Sequence, residues 1–334
     1  MEDNSYLEVA VQMRGLQVAQ MIHVAAQLGV ADRVGEGRPV ADLARDVSAH
    51  PEKLVRMLRA LAAFGIFAVD AEQRVTHTTR SRHLCSDAVP TLHYAARFWG
   101  MPSVWSTWSG MEGTIRTGEA AFEATFGVTN WAYLSDHPDE ALTFDQFMQH
   151  SPDDRHAAVA EAYDFAGAKV VDVGGGNGAL LAAILRRYPE TTGVLADQGA
   201  VIAAATDALG AFISRCELVP TDFFVEVPSG GDIYTMAQIL HDWSDERCLQ
   251  ILRNCRRAMQ SGAKLLIIER MLDDDPAKNS ALTLLGDMQM MALFPGAKER
   301  TLGEFTALLA AAGYGAPRVI VTRSAFVVLE TAPV

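Results

Sequence analysis

Cysteine is scarce. Four residues, Cys85, Cys216, Cys248 and Cys255, are spread over 334 positions and none forms a CxxC pair. Neither a disulfide framework nor a thiolate zinc site is indicated, and a reducing compartment fits best. Positive charge is also short: 28 Lys and Arg stand against 41 Asp and Glu, a net charge of -13. Such a chain lacks the electrostatic footprint of a nucleic-acid binder. No apolar run approaches the roughly 18 residues that span a bilayer. The opening MEDNSYLEVA has neither a basic n-region nor an apolar core, so no signal peptide is expected and the expected location is the cytoplasm. Repeats and low-complexity segments are missing too. What the chain does have is apolar mass: 49% hydrophobic residues, enough for a large and a smaller domain, each with its own core.

The first third reads as helical. Val9, Met13, Leu16, Ala19 and Ile22 recur at helical spacing within 6–34. A short helix near 40–47, a turn at Ser48 to Pro51 and a helix over 51–64 closed by Gly65 follow, then two short strands, IFAVD and RVTHT. Helix-turn-helix plus β-ribbon is a winged-helix pattern. It serves DNA binding or dimerisation, and the acidic balance favours dimerisation. Residues 91–168 are helical and aromatic-rich, with Phe98, Trp99, Trp105, Trp108, Phe122, Phe144 and Phe147 read as core or as pocket wall. The expected boundary divides an N-terminal helical domain, 1–100, from a larger one, 101–334.

From residue 168 strands alternate with helices: AKVVDV, GALLAAILRRYP, TGVLAD, AVIAAATDALG, CELVPTD, DIYTMAQIL, a helix over 244–259, and AKLLIIERML. That alternation predicts an α/β fold with a doubly wound, mostly parallel sheet. The tail PRVIVTRSAFVVLET predicts an antiparallel hairpin completing it.

The loop DVGGGNG places Gly174, Gly176 and Gly178 between a strand and a helix. Glycines there admit a ligand close to the backbone, and the spacing also fits a dinucleotide fingerprint. Asp172 separates the two readings. A carboxylate at that strand end repels a pyrophosphate, but suits the ammonium and sulfonium of S-adenosylmethionine. Asp197 ends the next strand, where it can accept hydrogen bonds from ribose hydroxyls. Asp222, Phe223 and Phe224 follow the third strand; an acid and two flat rings suit an adenine.

The fourth strand is read as running from Ile233 to Leu240, which brings His241, at the head of HDWSDE, to the carboxyl edge of the sheet where ligands bind. An imidazole there can take a proton from a phenol as its oxygen attacks a methyl group. Glu269, at the end of the next strand, and Glu299, in GAKERT, are the carboxylates able to hold the ring; Glu299 reads equally as a helix N-terminal acid. Asp242 reads as structural or as a cofactor neighbour, and is counted among the candidate substrate-binding residues.

DVGGGNG, HDWSDE and FPGAKERT, in this order and spacing, resemble the S-adenosylmethionine-dependent small-molecule O-methyltransferases: plant caffeate and isoflavone enzymes, animal acetylserotonin O-methyltransferase, and bacterial antibiotic-tailoring enzymes. The resemblance covers essentially the whole chain. It implies a homodimer formed through the N-terminal domain, His241 as general base bracketed by Glu269 and Glu299, cofactor contacts from Gly174, Asp197, Asp222 and Phe223, no metal, and a small aromatic hydroxyl-bearing substrate. It implies a substrate pocket that includes Phe144, Met148, Met290 and Phe294. The chain departs from the plant pattern at Ala237 and at Gln198-Gly199. It also departs at Phe294, which argues for a larger or more apolar acceptor than a lignin precursor. Two other readings remain: the same fold performing hydroxylation or decarboxylation, and a winged-helix regulator with a ligand-binding domain.

Overall fold

The computed structural model describes residues 5–150 and 154–334, without the side chains of 203, 204 and 206–208. Two compact units emerge: Met1–Trp105 with His137–Pro152, and Ser106–Asp136 with Asp153–Val334. The first unit is thus built from two stretches of chain, the helix Pro138–Gln149 belonging to it.

In the first unit the helices Val40–Asp46 and Pro51–Ala63 are joined by a turn, and strands Ala68–Val69 and Arg74–Thr76 form the β-ribbon. A third short strand, Arg38–Pro39, pairs antiparallel with Arg74–Thr76. Pro51 opens its helix at the position where a missing N–H costs nothing. Gly65 takes φ +71°, the left-handed conformation that lets the chain leave the helix. Leu43, Leu54, Leu58, Leu61 and Val75 are buried together.

The second unit holds a seven-stranded sheet: β1 (Lys169–Val173), β2 (Thr192–Asp197), β3 (Cys216–Pro220), β4 (Ile233–Ala237), β5 (Lys264–Glu269), β6 (Arg318–Val321) and β7 (Val327–Thr331). The order across the sheet is β6-β7-β5-β4-β1-β2-β3. The first five strands are mutually parallel and β7 is antiparallel to both neighbours, so the C-terminal hairpin completes the sheet as the sequence predicts. Helices α1 (Ala179–Arg187), α2 (Gly199–Leu209), α3 (Asp245–Ala258), α4 (Ala281–Leu293) and α5 (Leu302–Ala311) follow or flank the strands. Val170, Val171 and Val173 of β1 and Leu265 to Ile267 of β5 are fully buried, as a parallel sheet covered on both faces requires. The strand order reverses between the parallel neighbours β1 and β4, and the carboxyl ends of those strands open the crevice typical of such sheets. Among the described residues no helix is long and apolar enough to cross a membrane.

One expected element is shorter. The fourth strand stops at Ala237 instead of reaching Leu240. Gln238 adopts φ +56°, and Oε1 of Glu269 accepts the backbone N–H of Ile239 at 3.0 Å and of Leu240 at 2.9 Å. A buried side-chain acceptor replaces the sheet ladder there and bends the apolar tail of the run into a 3-10 turn, Leu240–Asp242.

Candidate active site

The loop after β1 lies against the turn after β4. Gly174 has φ +69°, and a Cβ on it would sit 2.5 Å from Cδ1 of Ile239, so only glycine fits. Gly176, at φ +58°, faces open space, and its N–H donates to Oδ2 of Asp197 at 2.8 Å. Oδ1 of Asp197 accepts from the amide of Gln198 at 2.7 Å. Burial pushes the Asp197 carboxyl up and the two amide bonds oppose that shift. Each oxygen retains capacity for a further donor.

Asp172 is buried in β1. Its Oδ1 accepts the hydroxyl of Thr235 at 2.7 Å, while Oδ2 has no partner in the protein. Burial pushes its carboxyl up to about 7, against the Thr235 bond. A buried acceptor left open in this way calls for a donor from outside the chain.

Asp222 fixes the third-strand loop by accepting the amide of Phe224 on Oδ1 at 2.8 Å. From α3, Asn254 donates to the carbonyl of Phe223 at 2.9 Å and Gln250 to that of Phe224 at 2.8 Å. Phe224 meets Trp243 edge-on at 4.7 Å, and the Arg247 guanidinium lies over the Phe224 ring. Phe223, Phe224 and HDWSDE therefore form one packed group.

His241 is 7% exposed. Its Nδ1 lies 3.1 Å from Oε1 of Glu299 and 3.6 Å from Oε2 of Glu269; its Nε2 lies 3.4 Å from Oδ1 of Asp242. Glu269 arrives as the last residue of β5. Glu299 arrives because the next residues, Arg300–Thr301, pair in parallel with Met271–Leu272 just beyond β5. The amide of Glu299 is anchored on Oδ1 of Asp287 in α4 at 2.9 Å. Burial works against a charged imidazole, but Glu269, Asp242 and Glu299 overcome it and raise the His241 pKa to about 10. Burial pushes Glu269 up to about 7 and Asp242 up to about 6, the histidine opposing in both. Ligand atoms of His241, Glu269 and Glu299 lie within 4.8 Å of one another, a spacing that a small cation can also use.

Of the residues expected to face substrate, Phe144 and Met148 lie on the helix Pro138–Gln149 of the first unit, Phe144 with its ring 6.0 Å from that of Phe98. Met290 lies in α4 and Phe294 directly follows it, in the second unit. Phe294 is buried and stacks on Trp131 at 5.3 Å and 22°. Three contributors escape sequence reasoning: Thr235, Asp287 and Arg300. Thr235 is a polar residue inside the apolar run of β4, a signal that was there to be used. Asp287, an acid inside the apolar helix ALTLLGDMQMMAL, carries a similar mark; Arg300 sits in the polar run GAKERT and carries none.

Residues 108–315 match the O-methyltransferase domain, and residues 12–87 match the O-methyltransferase dimerisation domain. The chain belongs to the S-adenosylmethionine-dependent O-methyltransferase family. It is 38% identical to a phenazine O-methyltransferase of Lysobacter antibioticus, over 96% of this chain and 94% of that one. It also resembles the solved structure of an O-methyltransferase from neocarzinostatin biosynthesis, in complex with S-adenosylmethionine and 2-hydroxy-5-methyl naphthoic acid. There the TM-score is 0.80 and the identity 30%, covering 95% of this chain and 96% of that one. An aclacinomycin 10-hydroxylase of Streptomyces purpurascens is 33% identical, over 92% of this chain and 84% of that one.

Proposed function

We propose that this enzyme methylates a hydroxyl, phenolic in character, on a small aromatic or polyketide-like molecule of secondary metabolism, with His241 as general base. The observation that carries this reading is the buried imbalance at His241: one imidazole, with carboxylates at 3.1 and 3.6 Å from Nδ1, at the ligand-binding edge of the sheet.

The residues around the glycine loop fit S-adenosylmethionine. The open Oδ2 of Asp172 suits its ammonium, Asp197 its ribose hydroxyls, and Asp222 with Phe223 and Phe224 its adenine. When bound, this cofactor supplies a methyl group on a positively charged sulfur, already activated for in-line displacement without a Lewis acid. His241 supplies the rest. Glu299 accepts Nδ1–H and fixes the tautomer, leaving Nε2 to take the proton of the acceptor hydroxyl. In the ligand-free protein His241 holds a proton at neutral pH. A positive charge brought into the adjoining crevice opposes the three carboxylates and favours release of that proton before chemistry. Met290 and Phe294, at the end of α4, supply apolar surface for the acceptor; a thioether adapts to varied ring shapes. The dimerisation domain at 12–87 joins two copies into a homodimer.

The hydroxylase relative favours a second reading, in which the same site binds the cofactor without spending its methyl group. Incubation with methyl-labelled S-adenosylmethionine and a panel of hydroxynaphthoates, hydroxyphenazines and simple phenols separates the two. The expected product carries the label and is heavier by one CH2. A product that gains oxygen and no label overturns methyl transfer.

A further inference from the structure

The loop that delivers Glu299 does more than present a carboxylate. It is clasped to HDWSDE along its length. Gly296, at φ +69°, comes so near Ser244 that a Cβ there would lie 2.8 Å from the serine Cβ. The amide of Lys298 donates to the carbonyl of His241 at 3.0 Å. The clasp closes on Arg300, whose side chain is 1% exposed. Its Nη1 donates to the carbonyl of Leu240 at 2.7 Å and its Nη2 to that of Trp243 at 2.8 Å. Nε and Nη2 both reach Oδ1 of Asp245, at 3.0 and 2.7 Å.

We propose that Arg300 is a positioning residue that sets His241 for proton transfer, an inference that rests on the reading of His241 as the base. The guanidinium binds the backbone on both sides of His241-Asp242, so it fixes the two ends of the segment that carries the imidazole. Glu299, the residue that orients the ring, is its neighbour in the chain. One planar group therefore holds the base to the element bearing its carboxylate. A misplacement of about 1 Å at such a point costs about 100-fold in rate. Lysine cannot replace it: a single ammonium does not reproduce the planar fork that serves two carbonyls and a carboxylate at once.

The test is a double-mutant cycle on the full-length protein with His241→Ala, Arg300→Lys and the double variant. Turnover, the pH profile of kcat and S-adenosylhomocysteine affinity by calorimetry are read for each. Arg300→Lys is expected to lower kcat by about 10- to 100-fold, to shift the pH limb of kcat, and to leave inhibitor affinity within about threefold. Added to His241→Ala, it is expected to cost almost nothing further, because both changes remove the same contribution. Full turnover in folded Arg300→Lys, or equal additional loss in the double variant, overturns the proposal. Full turnover in His241→Ala instead overturns the assignment of the base. If Arg300→Lys does not fold, Asp245→Asn loosens the guanidinium from a half-exposed position. It is expected to lower kcat with the same sparing of inhibitor affinity, and unchanged kcat there overturns the proposal.

Discussion

Nδ1 of His241 and Oε1 of Glu299 meet at 3.1 Å across 58 residues of sequence. In the proposed reaction that contact selects the Nδ1–H tautomer and assigns Nε2, 3.4 Å from Oδ1 of Asp242, to the acceptor hydroxyl. His241→Ala is expected to lower kcat by about 10²- to 10⁴-fold, the range for a lost general base. Affinity for S-adenosylhomocysteine, whose proposed contacts are Asp172, Asp197 and the glycine loop, is expected to stay within about threefold by calorimetry. A matching loss of both would make His241 a binding residue instead.

The proton on His241 is held mainly by Glu269, then by Asp242 and Glu299, against the cost of burial. Folding raises its pKa from 6.5 to about 10. Its contribution to stability is therefore complete below the unfolded value and is lost as pH rises through about 10. The neutral, base-competent imidazole appears in that same alkaline range. Glu269→Gln keeps a carbonyl for the amides of Ile239 and Leu240 but removes the leading negative charge. The rising limb of kcat/KM for the cofactor, which reports the free enzyme, is expected to move to lower pH in this variant. A limb that stays in place or moves upward contradicts the electrostatic account.

Asp197 accepts the amides of Gly176 and Gln198. Asp197→Ala strips the glycine loop of its anchor and the cofactor ribose of its proposed acceptor together. At about 1–3 kcal/mol for unsatisfied partners, the Kd for S-adenosylmethionine is expected to rise about 10- to 100-fold by titration calorimetry. Unchanged affinity removes Asp197 from the ribose site.

Gly296→Ala probes the clasp without touching a charged group. The new Cβ would have to overlap Ser244 and accept φ +69°. Strain at such a position costs about 1–3 kcal/mol. Denaturant unfolding is expected to show a loss of that size, with turnover reduced as the loop shifts away from His241. A variant as stable as the parent would mean that the loop moves freely.

Much of the fold is legible in the chain because its periodicities are local. The change from helical spacing to alternating apolar strands and helices after residue 168 announces a parallel sheet, and a parallel sheet sends every strand's carboxyl end to one edge. That rule alone brings Asp172, Asp197, His241 and Glu269 to a common crevice. It does not fix where β4 stops, because Ile239 and Leu240 are as apolar as the strand before them; a carboxylate from a different strand decides.

Glu299 shows the limit most clearly. In the sequence it reads as a base-orienting carboxylate or as the first acid of a helix. In the structure the helix-capping duty falls to Thr301 and Glu304, which bond each other reciprocally, and Glu299 is free to turn inward to His241. Composition and spacing determined which chemical groups this protein owns and the sheet that gathers them. Only tertiary packing decided their charge and pairing, because a pKa depends on burial and on neighbours brought from distant parts of the chain, and neither is written in local order.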